Sequence, residues 1–396
     1  MKSIFVLLTV LISTLPGCFT KSEKFSGRIR ENTIWQGRIV LEGDVYVEPG
    51  VKLTVLPGTV ITYMRGEIKH EIQRLRNFDG HTYDLFEENK TEIIVAGDID
   101  VRGTAGMPVR IQAPAKDRQK ANGINFIGHR SSSTIENLII TGGYVGIRIY
   151  DSRAPVLSSV TVTGCMAGGI GCWDRSAPVI SRATVYENKY GIGASDVSSP
   201  VISASKITNN RAAGLFFEGQ STGMVTDSLI SGNNVGIAVG DQSNASVLRS
   251  TITANGSGVG CWNEASPVIQ DNIFATNIVG VLMLDESAPM VEGNVLRNNG
   301  GGLTVSDNAS GKISVNRFER NGPGIISSGK ASTVIEGNIL EGNRYGIMAE
   351  NRTRSKIHLN NFIGNQVGIL ISDYAKPSLD KNEFKDNGSD LVDSRL

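Results

Sequence analysis

Acidic residues recur at one position of a repeating glycine pattern, and this spacing is the first feature that could carry chemistry. A glycine followed by an aliphatic residue returns at intervals of 22 or 23 residues, from Gly123 to Gly368. Five residues after these glycines the chain carries Asp151, Asp174, Asp196, Asp241, Asp285, Asp307 and Asp373. Stacked carboxylates share a proton or recruit a cation. The row could therefore bind calcium at Asp151, Asp174 and Asp196, since calcium prefers oxygen ligands.

The same position also has the composition of a turn. In other repeats Asn263, Asn351 or Gly219 replaces the aspartate. Asp, Asn and Gly interchange at turns because all three accept unusual backbone angles. We therefore favour a turn, and the alternative is a catalytic groove that acts as acid and base on a polysaccharide. Its residues would be Asp151, Asp174, Asp196 and Glu218.

Aromatic residues form a second candidate site. In a strand of period two, the residues two and four positions after the glycine point outward. They include Tyr150, Trp173, Phe216 and Trp262. Aromatic faces on a flat sheet suit stacking against sugar rings or a partner protein. Isolated apolar surface residues are also ordinary, so a ligand-binding face and an incidental one both remain open.

Other chemical patterns are missing from the sequence. There is no Ser/His/Asp order, no CxxC pair and no phosphate loop, and His70 and His81 are weak evidence for a metal. Cys172 and Cys261 fall on inward positions and suit a core. With 39 basic and 39 acidic residues, no basic stripe suggests nucleic acid. We expect no cofactor other than calcium.

Short strands wound into coils would position these residues. The repeat from Gly280 to Asn299 holds three strand-like runs separated by turn residues, and no run is long enough for a helix. Aliphatic or aromatic residues fill three columns, one, eleven and sixteen residues after the glycine. The third column would run from Ile139 to Phe384. Three apolar columns make one continuous core when coils stack.

An asparagine row marks one corner of the predicted coil. It runs from Asn188 to Asn387 at a position where Asn tolerates left-handed backbone and can bond to the copies above and below. The fold class is therefore all-β: a single-stranded right-handed parallel β-helix, a solenoid of about 13 regular coils of 22–23 residues plus irregular N-terminal coils. The interruption at 65–90, with Ile68, Ile72 and Leu75 at helical spacing, predicts a cap or flank.

This pattern resembles the pectin-lyase-like superfamily of right-handed β-helices, and within it the NosD-like and parallel β-helix repeat proteins. The resemblance covers roughly residues 34–391 and includes the opening segment 53–61. It implies the fold and leaves the activity open, since the superfamily mixes enzymes and binding proteins. No Met/His/Cys cluster suits copper, so the NosD likeness stays at the level of the fold.

The N-terminus carries the features of an export signal. Lys2 precedes an apolar run over 4–12 that is too short to span a bilayer. Leu15-Pro16-Gly17-Cys18 resembles the lipobox of bacterial lipoproteins, from which Pro16 departs. The resemblance implies lipidation of Cys18 and a location at the cell envelope, on the outer membrane in a Gram-negative host.

The predicted organisation is a signal peptide over 1–18, a tether over 19–32, N-terminal coils over 33–122 and a regular β-helix over 123–396. We expect a non-catalytic, lipid-anchored envelope protein that presents a surface to a polysaccharide or an envelope protein. One alternative is a polysaccharide lyase, hydrolase or epimerase. The other is a structural spacer or assembly unit.

Overall fold

The protein is a parallel β-solenoid, seen in a computed structural model that describes residues 22–64, 90–116, 118–128, 132–151 and 155–395. One of its sheets contains 15 strands, which sets the number of coils. Strands pair in parallel, each with the strand one coil away. The only helical turn in the described ranges is the 3-10 segment Arg118–Lys120. None of the helical structure there is long and apolar enough to cross a bilayer.

Three sheets run along the rod, and a typical coil contributes one strand to each. Sheet 1 holds the strands that include the repeat glycine and their N-terminal counterpart: Thr91–Val95, Ala121–Ile127, Val145–Tyr150, Gly168–Trp173, Tyr190–Ala194, Ala213–Phe217, Val235–Val239, Ser257–Cys261, Val279–Met283, Gly301–Val305, Pro323–Ser327, Tyr345–Ala349, Val367–Asp373 and Ser389–Arg395. Sheet 2 follows it: Thr33–Trp35, Lys52–Val55, Asp98–Arg102, Thr134–Glu136, Val156–Ser158, Val179–Ser181, Val201–Ser203, Met224–Thr226, Ser246–Leu248, Val268–Gln270, Met290–Glu292, Lys312–Ser314, Val334–Glu336, Lys356–His358 and Ser378–Asp380. Sheet 3 completes the coil: Val60–Tyr63, Val109–Gln112, Leu138–Thr141, Thr161–Thr163, Thr184–Tyr186, Lys206–Thr208, Leu229–Ser231, Thr251–Thr253, Ile273–Ala275, Val295–Arg297, Arg317–Glu319, Ile339–Glu341, Asn361–Ile363 and Glu383–Lys385.

Two further strands, Ser22–Ile29 and Arg38–Val47, run continuously through sheets 3 and 1 at the N-terminal end. They pair with each other in parallel, with a bulge between Phe25 and Gly27. The tether expected over 19–32 is therefore not a free linker over residues 22–29. The predicted cap or flank at 65–90 lies outside the described residues except for Lys90.

The core is one continuous apolar column, as the three predicted columns require. In the coil of Gly280 the three column residues Val281, Val291 and Leu296 are all fully buried. Cys172 and Cys261 are also fully buried, as their inward positions predict. The repeat glycine permits close stacking of coils: a Cβ on Gly280 would stand 2.4 Å from the carbonyl oxygen of Gly302.

One core assignment from the sequence is wrong by a residue. Ile140, not Ile139, is buried and pairs with Val162 of the next coil. In the same coil Ile135 pairs with the core residue Leu157. The additional residue of this 23-residue coil therefore lies before its sheet 2 strand. It moves the later inward positions of the same coil by one residue.

The asparagine row forms a buried hydrogen-bonded ladder, so the predicted stacking of its amides is confirmed. The Oδ1 atom of Asn299 accepts from the backbone N–H and the Nδ2 of Asn277, at 2.9 and 3.0 Å. The Nδ2 of Asn299 donates to the carbonyl of Phe274 and to Oδ1 of Asn321, both at 3.1 Å. Each rung thus satisfies buried backbone groups at the corner between sheets 3 and 1.

The left-handed backbone expected for these asparagines belongs to the preceding residue instead. Thr276 and Asn298, which precede two rungs, have φ angles of 54° and 53°. The ladder residues Asn277 and Asn299 are not among the residues of positive φ. The corner therefore uses a left-handed residue to turn the chain and the following asparagine to bond it.

A second asparagine ladder, which the sequence reasoning missed, lies between sheets 2 and 3. It runs from Asn272 to Asn382 with the same bonding: Asn294 donates from its backbone N–H and its Nδ2 to Oδ1 of Asn316, both at 2.9 Å. Its signal was the recurrence of Asn fourteen residues after the repeat glycine. Two of the three corners are thus held by amide ladders.

Candidate functional site

The acidic row lies in the turn that follows sheet 1, as the turn interpretation predicts. Asp174 and Asp196 have left-handed backbone, with φ angles of 55° and 60°. Carboxylates of this row bond to the backbone one coil earlier: Oδ2 of Asp196 accepts from the N–H of Asp174 at 3.0 Å, and Oδ2 of Asp241 from the N–H of Gly219 at 2.9 Å. Part of the hydrogen-bonding capacity of Asp196 and Asp241 is therefore used to hold consecutive turns together.

Asp151 has a further partner within this row. Arg175 donates to it through Nε and Nη2, at 2.9 and 3.2 Å, and Asp151 is only 1% exposed. This pair neutralises one of the three carboxylates on which the calcium prediction rests. Among the described residues no three His, Cys, Asp or Glu side chains are grouped so as to hold a metal ion. Calcium binding at Asp151, Asp174 and Asp196 stays a prediction.

The structure brings two of the predicted aromatic residues into contact. The rings of Tyr150 and Trp173, on adjacent strands of sheet 1, are stacked with centroids 4.9 Å apart and planes 15° apart. The six-membered ring of Trp173 occupies the space above Gly171, where a Cβ would stand 2.0 Å from its Cη2. Burial raises the pKa of Tyr150. Both side chains keep part of their surface exposed.

Phe216 makes a comparable arrangement two coils further along. Its ring lies over Gly193 of the preceding coil, with Cζ 2.1 Å from the point where a Cβ would stand. Tyr190, which was not predicted as part of the face, packs edge-on against Phe216 with centroids 5.1 Å apart. The lysine before it, Lys189, lies over the Tyr190 ring at 5.3 Å.

Trp262 spans two coils. Its Nε1 lies 2.5 Å from the Cβ position of Gly240 and its Cζ3 lies 2.8 Å from that of Gly260. Glycines beneath aromatic rings are a known way to cover bare backbone in a sheet. The glycines Gly171, Gly193, Gly240 and Gly260 were visible in the outward columns of the sequence, and their pairing with rings was the signal that sequence reasoning missed.

Next to Trp262 a groove of about 700 Å³ crosses four successive turns after sheet 1. It begins at Gly219 and Gln220 and ends at Asp285 and Glu286. Its side chains are linked along the rod, since Gln242 donates to Glu264 at 2.9 Å. The groove is therefore a ladder of carboxylate and amide groups beside an aromatic ring.

Glu218 stands at the start of this groove, two residues after Phe216 on the same side of the sheet. Burial, and then the nearby carboxylate of Asp241, raise the pKa of Glu218. A carboxyl group whose pKa is raised beside a second carboxylate has the property that a general acid needs. Glu218 belongs to the acidic set that the sequence proposed for catalysis.

A buried polar cluster at the N-terminal end of sheet 1 was not found from the sequence. Asn125 donates through Nδ2 to Oε2 of Glu92 at 3.2 Å, and Nη1 of Arg148 lies 3.9 Å from the same oxygen. Oδ1 of Asp44 accepts from the backbone N–H of Glu92 at 3.2 Å. Burial raises the pKa of Glu92 to about 7, although Arg148 lowers it. Asp44 and Glu92 lie outside the regular repeat, so no column marked them, whereas Asn125 and Arg148 lie two residues after Gly123 and Gly146.

Comparison with known families agrees with this architecture. The sequence matches the family described as right handed beta helix region over residues 122–274, 214–362 and 279–394. The chain therefore belongs to the right-handed β-helix family. No curated protein matches its sequence.

Solved structures of the same fold include polysaccharide-active proteins. The periplasmic alginate epimerase AlgG is similar with a TM-score of 0.50 and 12% identity, over 87% of this chain and 76% of that chain. Pectate lyase Pel9A has a TM-score of 0.39 and 14% identity, over 75% and 72%. The GH87 alpha-1,3-glucanase from Streptomyces thermodiastaticus strain HF3-3 has a TM-score of 0.40 and 11% identity, over 90% and 62%. At these identities the likeness to AlgG shows a shared fold alone.

Proposed function

We propose that this protein binds a polysaccharide along the outer face of sheet 1, between Tyr150 and Trp262. The observation that carries the proposal is the seating of Trp173, Phe216 and Trp262 over glycines. A ring placed in this way is fixed before a ligand arrives and keeps part of its surface open to solvent. Fixed aromatic surface costs little conformational entropy on binding, which favours stacking against sugar rings.

The extent of the face supports an extended ligand. Trp173 and Trp262 lie four coils apart, which is roughly 19 Å at about 4.8 Å per coil. The Tyr150–Trp173 stack, the Phe216 ring and the Trp262 ring lie along this length in chain order. A polymer that lies parallel to the rod could contact all three, whereas a small ligand could contact only one.

Affinity electrophoresis of the full chain tests the proposal. Gels would contain a neutral β-glucan, a polyuronate or a glucosamine polymer. Retention by at least one polymer is expected, and Trp173→Ala combined with Trp262→Ala should weaken that binding about tenfold, since each stacked ring contributes roughly 0.5–1.5 kcal/mol.

The matched control is Tyr186→Ala, an aromatic side chain on the outside of sheet 3, which should leave retention unchanged. Equal retention of the double variant and the wild type would overturn the proposal, and so would the absence of retention in every gel.

A second candidate function is supported by Glu218. Its raised pKa beside Asp241 suits general acid–base work on a glycosidic bond or a sugar carbon. Incubation of the full chain with the retained polymer, followed by measurement of chain length and of unsaturated or epimerised product, tests this. Product that disappears in Glu218→Gln would establish an enzyme, and unchanged polymer would leave a binding protein.

Anchoring to the cell envelope is the remaining part of the proposal. Cys18 lies outside the described residues, and the lipobox-like sequence before it is the support for its lipidation. A lipid chain would hold the rod at a membrane while the sheet 1 face stays accessible. Incorporation of labelled palmitate by the full chain, absent in Cys18→Ala, is the expected result; labelling that persists in the variant would contradict it.

A further inference from the structure

The edge of the binding face carries a one-sided distribution of charge. Along the groove and its two ends every charged side chain of the turn is acidic and exposed: Glu218, Asp241, Glu264, Asp285, Glu286 and Asp307. In the part of the chain that the structure describes, none of these six forms an ion pair. The same turn in later coils also carries basic residues, Lys330, Arg352 and Lys376, together with the acidic residues Glu350 and Asp373. The charge along this edge is therefore wholly acidic from the coil of Gly214 to the coil of Gly302, and mixed in the later coils.

The aromatic ring beside the acids makes this charge relevant to a ligand. Trp262 directly precedes the groove residue Asn263 and is held over Gly240 and Gly260. A sugar ring stacked on Trp262 would bring its substituents to the carboxylates of Asp241, Glu264 and Asp285. Successive coils are about 4.8 Å apart along the rod, which is less than the screening length of about 8 Å at physiological ionic strength, so the potentials of carboxylates in adjacent coils add.

We infer that the ligand of this face is a polysaccharide with free amino groups, and that polyuronates are rejected. The inference rests on the proposed function. Ammonium groups along the polymer would form ion pairs with the carboxylates of successive coils and donate hydrogen bonds to them. Carboxylates of a uronic acid polymer would meet like charges at the same positions, which disfavours their binding.

Two hexasaccharides of the same backbone test the inference. Titration calorimetry of the full chain would compare a glucosamine hexamer with an N-acetylglucosamine hexamer, and both with an oligouronate. At low salt we expect the amino form to bind at least tenfold more tightly than the acetylated form, and no detectable binding of the oligouronate. Added salt should reduce the difference, since exposed charges are screened.

A second experiment removes the negative charge of two carboxylates in the groove. Glu264→Gln with Glu286→Gln keeps the shape of the side chains and the acceptor for Gln242. It should reduce affinity for the amino form several-fold while leaving the acetylated form unaffected. Glu292→Gln, in the same coil as Glu286 but on sheet 2, is the matched control and should change neither.

The outcomes separate the inference from the proposed function. Equal or tighter binding of the acetylated form or the oligouronate, lost in Trp262→Ala, would overturn the inference and leave polysaccharide binding in place. Binding that the glutamine substitutions do not weaken would do the same. Failure of all three sugars to bind would overturn both.

Discussion

The indole of Trp262 rests on Gly240, with its Nε1 2.5 Å from where a Cβ on that glycine would stand. Gly240→Ala should therefore push the indole away from the sheet, because the new methyl group and the ring cannot occupy the same space. We expect a shift in tryptophan emission and weaker polysaccharide retention, with a change in the free energy of unfolding of about 1 kcal/mol or less.

Ser306→Ala is the control for Gly240→Ala. Ser306 occupies the same column of the turn, next to no tryptophan, and its substitution should alter neither emission nor retention. Unchanged emission in Gly240→Ala would show that the ring does not depend on the glycine.

Glu92 should make stability depend on pH. Its pKa is raised in the folded protein to about 7 from an ordinary value of 4.5, chiefly by burial. The folded state then binds more protons than the unfolded state between these values, so the contribution of this group is full below pH 4.5 and falls as pH rises to about 7. The total loss is about 3 kcal/mol. Asp44 and Arg148 face the same carboxyl group.

Urea unfolding of wild type and Glu92→Gln between about pH 4.5 and about pH 8 checks this. The variant should lose the decline that Glu92 causes and should exceed the wild type in stability at the alkaline end. Glu136→Gln, an exposed carboxyl group on sheet 2, should leave the pH profile as it is. Parallel profiles for wild type and Glu92→Gln would contradict the expected titration.

The middle of the first asparagine ladder should be costly to remove. Asn299→Ala leaves two buried donors of Asn277 without an acceptor and the Phe274 carbonyl without this donor. Each buried group left unpaired costs about 1–3 kcal/mol, so the free energy of unfolding should fall by roughly 3 kcal/mol. Thermal or urea unfolding followed by circular dichroism measures the loss.

The last rung offers the comparison. Asn387 accepts the same two bonds from Asn365 but is only partly buried. Water can replace part of the hydrogen bonding that Asn387→Ala removes. Its loss of unfolding free energy should therefore be less than half that of Asn299→Ala. Equal costs for the two substitutions would mean that burial does not decide the strength of the ladder.

Val315 is a site where a substitution should stabilise the protein. It is a β-branched residue with a φ of 57°, in the left-handed region that glycine adopts without penalty. Val315→Gly should raise the free energy of unfolding by about 1 kcal/mol. Gly337, at the same position one coil later, has a φ of 63°. Gly337→Val should lower the free energy of unfolding by a similar amount. A loss of stability in both variants would contradict the proposed backbone strain at Val315.

The repeat made most of the architecture predictable, because a residue type that returns every coil reveals its position. The three sheets, the burial of Val281 and the stacking of the Asn299 rung all follow from columns. The left-handed backbone of the residue before each rung could not be predicted from a column, because residues as different as Thr276 and Val315 occupy that position. Its conformation is imposed by the neighbouring coils rather than by its own preference.

The candidate site was only partly predictable for a related reason. The sequence identified four outward aromatic residues, Tyr150, Trp173, Phe216 and Trp262. The packing of the last three rings over glycines could not be predicted, because it depends on contacts between coils that no single column contains. Glu92 and Asp44 lie in N-terminal coils of irregular length, where the spacing from a repeat glycine no longer identifies a residue's position.

The asparagine ladders are directional. In the bonds that join one asparagine to the next, the earlier coil supplies the donors and the later coil supplies the oxygen, as from Asn277 to Asn299 and from Asn299 to Asn321. A partly folded rod therefore ends in asparagine N–H groups that have no acceptor until the next coil folds onto it. Each completed coil is a template for the one after it, and the chain can assemble vectorially, from its N-terminus onward, in the order in which it is synthesised.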